Sequence, residues 1–286
     1  MAYRSPLRVT RRQPTELIAG DQELDSELDA RSYTATPEAF ADRVILVTGA
    51  SGGLGAALAR ACGSLGARVV LSGRNVGRLE ATYDQIVAAG GPRPSIAPLD
   101  LERADASHYT ALADAVRSEF GRLDGLAHLA GQLGELAPVE HYDVVTWLRV
   151  MHVNVNAAFI LTQSLLPLLR TSQDGSIVFT TSGVSVRGRA YWGAYAASKF
   201  ALEGLTQVLA DETDALTKIR VNSVNPGKLR TAMRARAYPG EDAASVPMPD
   251  AALPTFLYLL GSASAGITGR RFDAQDVRPD ATGRAT

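Results

Sequence analysis

Short apolar runs alternate with stretches of helical periodicity along most of this 286-residue chain. Seven of the runs have the length and composition of buried strands, at about residues 43–48, 68–72, 95–99, 123–129, 176–181, 219–224 and 268–273. Strands that alternate with helices are typical of a parallel sheet covered on both faces, because parallel neighbours need a crossover connection between them. The pattern therefore predicts one α/β domain over residues 41–274, built on a seven-stranded parallel sheet flanked by helices.

The two ends of the chain lack this alternation. Residues 1–40 begin with several arginines, continue into an alternating acidic run and show no sustained apolar periodicity, so we predict a disordered N-terminal arm. Residues 275–286 are polar and predict a C-terminal tail. Neither end contains the apolar core of a signal peptide, and no segment has about 18 uninterrupted apolar residues. We expect a cytoplasmic protein, with an organellar transit peptide as the alternative for the arginine-rich start.

The first strand runs into a glycine-rich turn. Gly49, Gly53 and Gly55 follow the apolar run 44–48, and the next residues have the periodicity of an amphipathic helix. Glycines at such a turn allow the backbone to approach a pyrophosphate, whose charge is stabilised by the amides and the dipole at the helix N-terminus. This order of elements predicts a dinucleotide site and the doubly wound Rossmann form of the sheet.

A second motif lies in the second half of the chain. Tyr195 and Lys199 are four residues apart, and Ser182 ends an apolar run thirteen residues before the tyrosine. Residues i and i+4 share one face of a helix, so we expect the Lys199 ammonium to lie near the Tyr195 phenol and to lower its pKa from about 10. An oxygen that alternates between hydroxyl and carbonyl needs a proton donor or acceptor and a polarising partner, which Tyr195 and Ser182 would supply. The alternative is a chance Y-x-x-x-K pair on a solvated face.

Together the two motifs resemble those of the short-chain dehydrogenase/reductase family, over roughly residues 40–275. The resemblance implies a catalytic tetrad of Asn154, Ser182, Tyr195 and Lys199, in which Asn154 holds a water that links Lys199 to solvent. A helix kink or an interior polar contact is the alternative role for Asn154. The motif T-G-x-x-x-G-x-G and the positions around it imply these cofactor contacts: Thr48, Gly49, Ser51, Gly53, Leu54, Gly55, Arg74, Asp100, Ala130, Gly131, Tyr195, Lys199, Pro226, Gly227 and Thr231.

Within that family the chain looks most like the bacterial YciK-type oxidoreductases. The stretches that carry this likeness are VNVNAAFILTQSLLPLL, WGAYAASKFALEG, QVLADE, RTAMRARAYP and TGRRFDAQ. Two departures stand out. Leu129 replaces the asparagine that usually steadies the central strands beside the cofactor, and Lys228-Leu229 follow the Pro-Gly where relatives tend to have small residues. We expect Lys228 and Leu229 to lie near the substrate or nicotinamide end of the site.

The end of the second strand bears on the choice of cofactor. In this fold an acidic residue there binds the ribose 2′-hydroxyl of NAD, whereas a nearby arginine accommodates the 2′-phosphate of NADP. Here the strand runs into Ser72-Gly73-Arg74-Asn75, without a carboxylate. A guanidinium pairs well with phosphate, so we predict NADP(H), with NAD less favoured. Asp100 resembles the adenine contact of the family, and an acidic helix cap is its rival interpretation.

The predicted activity is hydride transfer between NADP(H) and a small-molecule carbonyl or alcohol substrate. A non-catalytic NADP-binding sensor or scaffold is one alternative, and a 3-oxoacyl-carrier-protein reductase is another. Several arginines near the expected pocket mouth would suit an anionic substrate of the latter kind; they are Arg187, Arg189, Arg230, Arg234 and Arg236. Gly52 also lets the glycine motif read T-G-x-x-G-x-x-G, as in extended epimerases and dehydratases, but only 91 residues follow Tyr195, which is short for their added substrate domain.

The composition of the chain limits the kinds of partner that we expect it to bind. A formal net charge of −1 gives no reason to expect nucleic acid or an anionic membrane. The single cysteine, Cys62, and four histidines without ligand spacing predict no metal site. The helical patterns around 142–169 and 195–215 are apolar on more than one face, which predicts burial against a partner subunit in a homodimer or homotetramer.

Overall fold

Seven parallel strands form a single sheet in the computed structural model, which describes residues 30–214 and 217–276. The strands are β1 (Val44–Thr48), β2 (Arg68–Gly73), β3 (Ser95–Pro98), β4 (Gly125–His128), β5 (Ser176–Thr180), β6 (Arg220–Asn225) and β7 (Arg271–Asp273). Their order is β3-β2-β1-β4-β5-β6-β7, and every neighbouring pair is parallel. The prediction of a doubly wound sheet is confirmed. The chain reverses direction across the sheet between β1 and β4, where such folds bind ligands.

Helices cover both faces of this sheet. They are α1 (Gly53–Ser64), α2 (Val76–Ala88), α3 (Ala106–Phe120), α4 (Val144–Met151), α5 (Ala157–Leu169), α6 (Gly193–Asp214), α7 (Ala232–Ala237) and α8 (Leu253–Leu260). Successive residues of a strand point to opposite faces. On β1, Ile45 and Val47 pack with α1, α2 and α8, whereas Val44 and Leu46 pack with α3, α5 and α6. The two resulting hydrophobic cores fix the strands whose ends carry the site.

The helical pattern predicted over 142–169 is one continuous helix with a wider turn in its middle. α4 and α5 are joined by a π-helical segment, His152–Asn156, so the helix spans Val144–Leu169. By length and hydropathy alone this helix could cross a membrane. Its α5 half packs instead in the core under the sheet through Leu161, Leu165 and Leu168.

The ends of the domain differ from the sequence-based boundaries. Residues 30–40, assigned from sequence to the arm, pack on the domain: Ala30 and Phe40 are fully buried, and Arg31 Nε donates to the Asp273 carbonyl at 2.7 Å. Burial of one phenylalanine side chain contributes about 2 kcal/mol to the docking of this segment. At the other end, Gln275 is hydrogen-bonded to the loop after β6. The rest of the predicted arm and tail, residues 1–29 and 277–286, lies outside the described residues.

Candidate active site

A cleft of about 460 Å³ opens at the carboxyl ends of the strands. It extends from the glycine turn after β1 to Tyr195 on α6 and is closed on one side by α7. Every residue that the sequence predicted as a cofactor contact lines this cleft, as does Ser182. Asn154 is the exception, because it is 2% exposed and lies behind the wall.

The glycine turn is packed so closely that two of its positions exclude a side chain. A Cβ on Gly55 would lie 2.2 Å from the Gly49 carbonyl oxygen, well inside contact distance. Gly49 has φ +71° and its Cβ would lie 3.0 Å from the Ala130 amide nitrogen. In contrast, a Cβ on Gly52 would meet nothing within 4 Å. Contacts therefore require glycine at two positions of T-G-x-x-x-G-x-G, the third, Gly53, has φ +52°, and there is room at the position that would define the rival extended motif. The exposed amides at the start of α1 fit a pyrophosphate group.

Tyr195, Lys199 and Ser182 meet at the other end of the cleft. Tyr195 and Lys199 are on consecutive turns of α6, with Lys199 Nζ 5.5 Å from the centre of the Tyr195 ring. The ammonium donates to the Thr180 carbonyl oxygen at 2.7 Å, which anchors it to the end of β5. Ser182 follows that strand by two residues and faces the phenol. The predicted proximity of ammonium and phenol is present.

The pKa of Tyr195 moves in the direction opposite to the sequence-based expectation. Burial raises it to about 12, and interaction with the Ser182 hydroxyl opposes that effect only in part. Burial also lowers the pKa of Lys199 to about 8. Taking a group out of water disfavours its charged form, and here this effect outweighs the attraction that the i, i+4 spacing suggested. In the protein alone, the phenol is a proton donor at neutral pH.

Asn154 lies in the π-helical segment, which turns its side chain inward. Its Oδ1 accepts from the Gln132 amide at 2.7 Å, and its Nδ2 donates to the Gln132 carbonyl and to Ser198 Oγ, both at 2.9 Å. These bonds hold the loop after β4 against α6. π-Helical turns inside α-helices are frequently found at functional sites. Asn154 therefore makes the interior polar contact that was one of its alternative roles. Its amide and the Lys199 ammonium both lie next to Gly131.

The position of Leu129 shows how the central strands are held without the usual asparagine. Thr48 Oγ1 at the end of β1 accepts from the Leu129 and Ala130 amides at 3.0 and 3.1 Å. Leu129 itself packs in the core beneath α1. His128, the last residue of β4, is 5% exposed, stacks on Phe179 at 4.8 Å and shares a 2.9 Å hydrogen bond with Thr162 Oγ1. Burial lowers the pKa of His128 to about 3, with a smaller contribution from Lys199, so its ring is neutral.

The loop after β6 closes the end of the cleft next to Tyr195. Gly227 has φ +74°, and Gln275 Nε2 donates to the carbonyls of Pro226 and Lys228 at 2.8 and 3.0 Å. Thr231 caps α7 and lies opposite the glycine turn. Leu229 lines the cleft and is 4% exposed, as expected from sequence. Lys228 is not among the lining residues, although its neighbours Gly227 and Leu229 are.

Two arginines lie at the far end of the cleft, beside β2. Arg74 follows the strand directly, and Arg78 is in the first turn of α2, whose N-terminus is capped by Asn75. Neither guanidinium has a carboxylate partner within residues 30–214 and 217–276. Asp100 also lines the cleft, and its Oδ1 accepts from the Glu102 amide at 3.1 Å, so it caps a turn there.

A cluster of cations and aromatic rings forms the wall above Tyr195. Trp192 packs edge-on against Tyr195, with ring centres 5.8 Å apart, and Tyr238 lies 5.8 Å beyond Trp192. Arg189 Nη1 donates to the Tyr238 hydroxyl at 2.7 Å, and Arg234 covers the Tyr238 ring at 3.7 Å. This mouth cluster joins the loop before α6 to the end of α7.

The arginines of the mouth are mostly engaged with the protein. Arg234 makes two hydrogen bonds of 2.6 Å to the Glu241 carboxylate, and Arg230 donates to the carbonyls of Ala244 and Val246. The expected attraction for an anionic substrate is correspondingly reduced.

Sequence reasoning missed several contributors to the site. Arg78 was overlooked although it follows Arg74 by four residues at a helix start, and Glu203 although it follows Lys199 by four. The Gln275 contact has no local signal because it depends on β7 lying beside β6. Over the described ranges, no three His, Cys, Asp or Glu side chains are grouped so that they could hold a metal ion.

The fold and this cleft define a dinucleotide-dependent oxidoreductase. Residues 43–242 match the short chain dehydrogenase family. The chain belongs to that family, and it is an oxidoreductase that acts on alcohol or carbonyl groups with a nicotinamide dinucleotide.

Individual relatives support the same assignment. The chain is 46% identical to the oxidoreductase YciK of Escherichia coli K12 over 246 residues, which are 86% of this chain and 97% of the relative. It is 53% identical to a short chain dehydrogenase from Pseudomonas syringae, with a TM-score of 0.84 over 85% of this chain and 99% of that one. A short chain dehydrogenase from Shigella flexneri 2a, complexed with NADP, is 46% identical, with a TM-score of 0.82 over 84% and 100% of the two chains.

Proposed function

We propose that this protein is an NADPH-dependent carbonyl reductase in which Ser182, Tyr195, Lys199 and Asn154 form the catalytic machinery. The observation that carries the proposal is that one cleft joins a glycine turn built for a pyrophosphate to the buried Tyr195–Lys199 pair. The bound nicotinamide supplies the hydride. Everything else in the reaction is done by groups of this chain.

Each of the four residues has a role that follows from its contacts. The Tyr195 phenol, whose pKa is raised to about 12, is protonated at neutral pH and donates its proton to the substrate oxygen as charge develops there. The Ser182 hydroxyl donates a hydrogen bond to the same oxygen. Lys199, held by the Thr180 carbonyl, stabilises the phenolate that remains. Asn154 fixes the loop of Gln132 beside Lys199.

The cofactor preference rests on the charge at the end of β2. Arg74 and Arg78 present two guanidinium groups to the cleft, and the residue where a ribose-binding carboxylate would be expected is Gly73. A 2′-phosphate would therefore gain two charge-assisted interactions that the 2′-hydroxyl of NAD lacks. The NADP complex of the Shigella flexneri relative supports this choice.

The experiment is a comparison of NADPH and NADH in binding and in turnover. We expect NADPH to bind at least tenfold more tightly, and we expect its oxidation in the presence of ketones, aldehydes, quinones or acyl-thioesters to be lost in Tyr195→Phe. The Phe variant keeps the ring against Trp192 and is a matched control for the hydroxyl alone. Tight binding without turnover on any compound would overturn the reductase proposal and favour a sensor or scaffold.

The substrate side of the cleft favours an uncharged carbonyl compound. The wall next to Tyr195 is aromatic, and two of the mouth arginines are already engaged by Glu241 or by backbone carbonyls. The acyl-thioesters in the panel test the alternative of a 3-oxoacyl-carrier-protein reductase. Faster turnover of thioesters than of small ketones would favour that alternative.

We also propose that the protein is a cytoplasmic homodimer or homotetramer. The long helix exposes Val144, Val145, Leu148 and Phe159, which are 47–68% exposed, and α6 exposes Phe200 and Val208. These side chains recur at helical spacing, so they form continuous apolar faces of the kind that protein partners cover. The exposed apolar face of the long helix accounts for its high hydropathy without a membrane. A light-scattering mass equal to a single chain would contradict the proposal.

A further inference from the structure

A carboxylate lies on the same face of α6 as the Tyr195–Lys199 pair. Tyr195, Lys199 and Glu203 follow one another at intervals of four residues, which places Glu203 one helical turn beyond the ammonium. The Glu203 side chain is only 12% exposed. A carboxylate removed from water is costly unless other groups compensate its charge. The groups that surround the Glu203 carboxylate therefore indicate its role.

Three side chains converge on the Glu203 carboxylate. Ser185 Oγ lies 2.7 Å from Oε1, and Ser223 on β6 donates to Oε2. Arg271 Nε on β7 lies 3.3 Å from Oε1, an ion-pair contact without the alignment of a hydrogen bond. The same guanidinium makes two hydrogen bonds to Asp273. Arg271 is thus shared between two carboxylates, and it only partly neutralises Glu203.

One of these contacts connects Glu203 to the serine of the site. Ser185 Oγ lies 2.7 Å from the Ser182 carbonyl oxygen as well as from Glu203, and the Ser185 amide donates to that carbonyl at 2.9 Å. A serine hydroxyl has one hydrogen, which it donates to one of the two acceptors at a time. Through this hydroxyl, α6 is tied to the turn that carries Ser182.

The charge of Glu203 also acts on Lys199. Burial lowers the pKa of Lys199, and Glu203 opposes that effect by raising it. The other groups that face the ammonium do not compensate its charge: His128 from β4 is neutral, and the Tyr195 phenol on the same helix is protonated at neutral pH. The Thr180 carbonyl of β5 supplies only a dipole. On β7, Arg271 contacts both Glu203 and Asp273.

We propose that Glu203 is a positioning residue of the active site, which keeps the Lys199 ammonium charged and holds the turn that carries Ser182. The catalytic part of this inference rests on the proposed function, because it concerns the use of Lys199 and Ser182 in turnover. The electrostatic part does not, since it can be measured without substrate.

The chain offers a direct measurement of the charge on Lys199. It contains three lysines, Lys199, Lys218 and Lys228, so lysine labelled with ¹³C at Cε gives three signals, and Lys199→Arg identifies the relevant one. In the wild type this signal should titrate with a pKa of about 8. In Glu203→Gln we expect the pKa to fall by about one unit, the low end of the range for an opposite charge nearby. The alkaline limb of kcat/KM for NADPH-dependent reduction should move to lower pH by the same amount, because the ammonium is lost as pH rises through its pKa.

Ser223→Ala is the matched structural control. It removes a hydrogen bond to Glu203 and leaves the charge, so it should lower stability without moving the Lys199 titration. Arg271→Gln serves if the Glu203 variant does not fold. Removing that cation should raise the pKa of Lys199, opposite to the effect of Glu203→Gln.

The outcomes separate the two proposals. A Lys199 pKa that is unchanged in Glu203→Gln, or in Arg271→Gln if that variant is needed, overturns the role of Glu203, even in an enzyme that reduces carbonyls. A shifted titration in a protein that turns over no substrate supports the electrostatic role of Glu203 and overturns the proposed reductase function. Equal shifts in Ser223→Ala and Glu203→Gln would show that packing, and not charge, sets the Lys199 pKa.

Discussion

The buried ring of His128 should make the stability of the domain depend on pH in a measurable way. Its pKa is lowered from 6.5 to about 3 in the folded protein, chiefly by burial. Between these values the unfolded chain binds a proton that the folded protein does not bind, so stability is greatest above pH 6.5 and falls as the pH is lowered. With 1.36 kcal/mol per pKa unit, the loss attributable to this one ring between pH 7 and pH 5 is about 2 kcal/mol.

The variant His128→Gln isolates this contribution. Glutamine does not titrate and offers a polar atom to Thr162, although it lacks the stacking on Phe179. The variant should be less stable than the wild type at pH 7, but its further loss between pH 7 and pH 5 should be smaller by about 2 kcal/mol. Urea unfolding at the two pH values measures the difference directly, at one fixed protein concentration. In thermal unfolding it corresponds to about 4–8 °C for a domain of this size.

Carboxylates elsewhere titrate in the same range, so only the difference between the two proteins is informative. If wild type and His128→Gln lose stability equally between pH 7 and pH 5, within about 0.5 kcal/mol, the neutral buried ring is not the cause and the reasoning is refuted. A wild-type loss that is smaller than that of the variant would mean that the folded protein favours the charged ring.

Three further predictions concern the cleft. Gly55→Ala should abolish NADPH binding and lower the Tm, because its Cβ would lie 2.2 Å from the Gly49 carbonyl oxygen. The control Gly52→Ala, whose Cβ would meet nothing within 4 Å, should unfold at the wild-type temperature. Equal Tm values for the two variants would contradict the packing argument. Arg74→Gln and Arg78→Gln should each reduce the ratio of NADPH to NADH affinity about tenfold, the value of one charge-assisted hydrogen bond, while Arg93→Gln, outside the cleft, leaves the ratio unchanged in the same fluorescence titration. Tyr238→Phe removes the hydroxyl that accepts from Arg189 but keeps the ring, so KM for the best substrate should rise about fivefold with little change in kcat. Arg187→Gln, on the same loop as Arg189, is the control. A change confined to kcat would refute a role for the mouth cluster in substrate binding.

The fold could be predicted from local sequence signals because those signals agree with the tertiary structure. The apolar runs that predict strands are the runs that the two cores bury. Gly55 is needed because of a contact with Gly49 in the same turn, whereas Gly49 also depends on the close approach of Ala130 after β4. The lining residues of the cleft follow from the same topology, since parallel strands bring their carboxyl ends to one edge. Gln275 and the exact place of Lys228 could not be predicted in this way, because both depend on contacts between β7 and the loop after β6.

The pKa of Tyr195 illustrates a different limit of sequence reasoning. The spacing of Tyr195 and Lys199 fixes their separation on α6, but the sign of the Tyr195 pKa shift depends on how much water reaches the phenol. Access of water is set by Trp192, the turn that carries Ser182 and the loop after β4. Burial penalises the phenolate and the ammonium alike, so the pair moves toward a neutral phenol and a weakly held proton on Lys199. A site arranged in this way needs additional negative charge near the ammonium to keep it charged at neutral pH. Glu203 lies on the same helix as Lys199 and is placed to supply that charge. Its effect on the Lys199 pKa should therefore be measurable before any substrate is known.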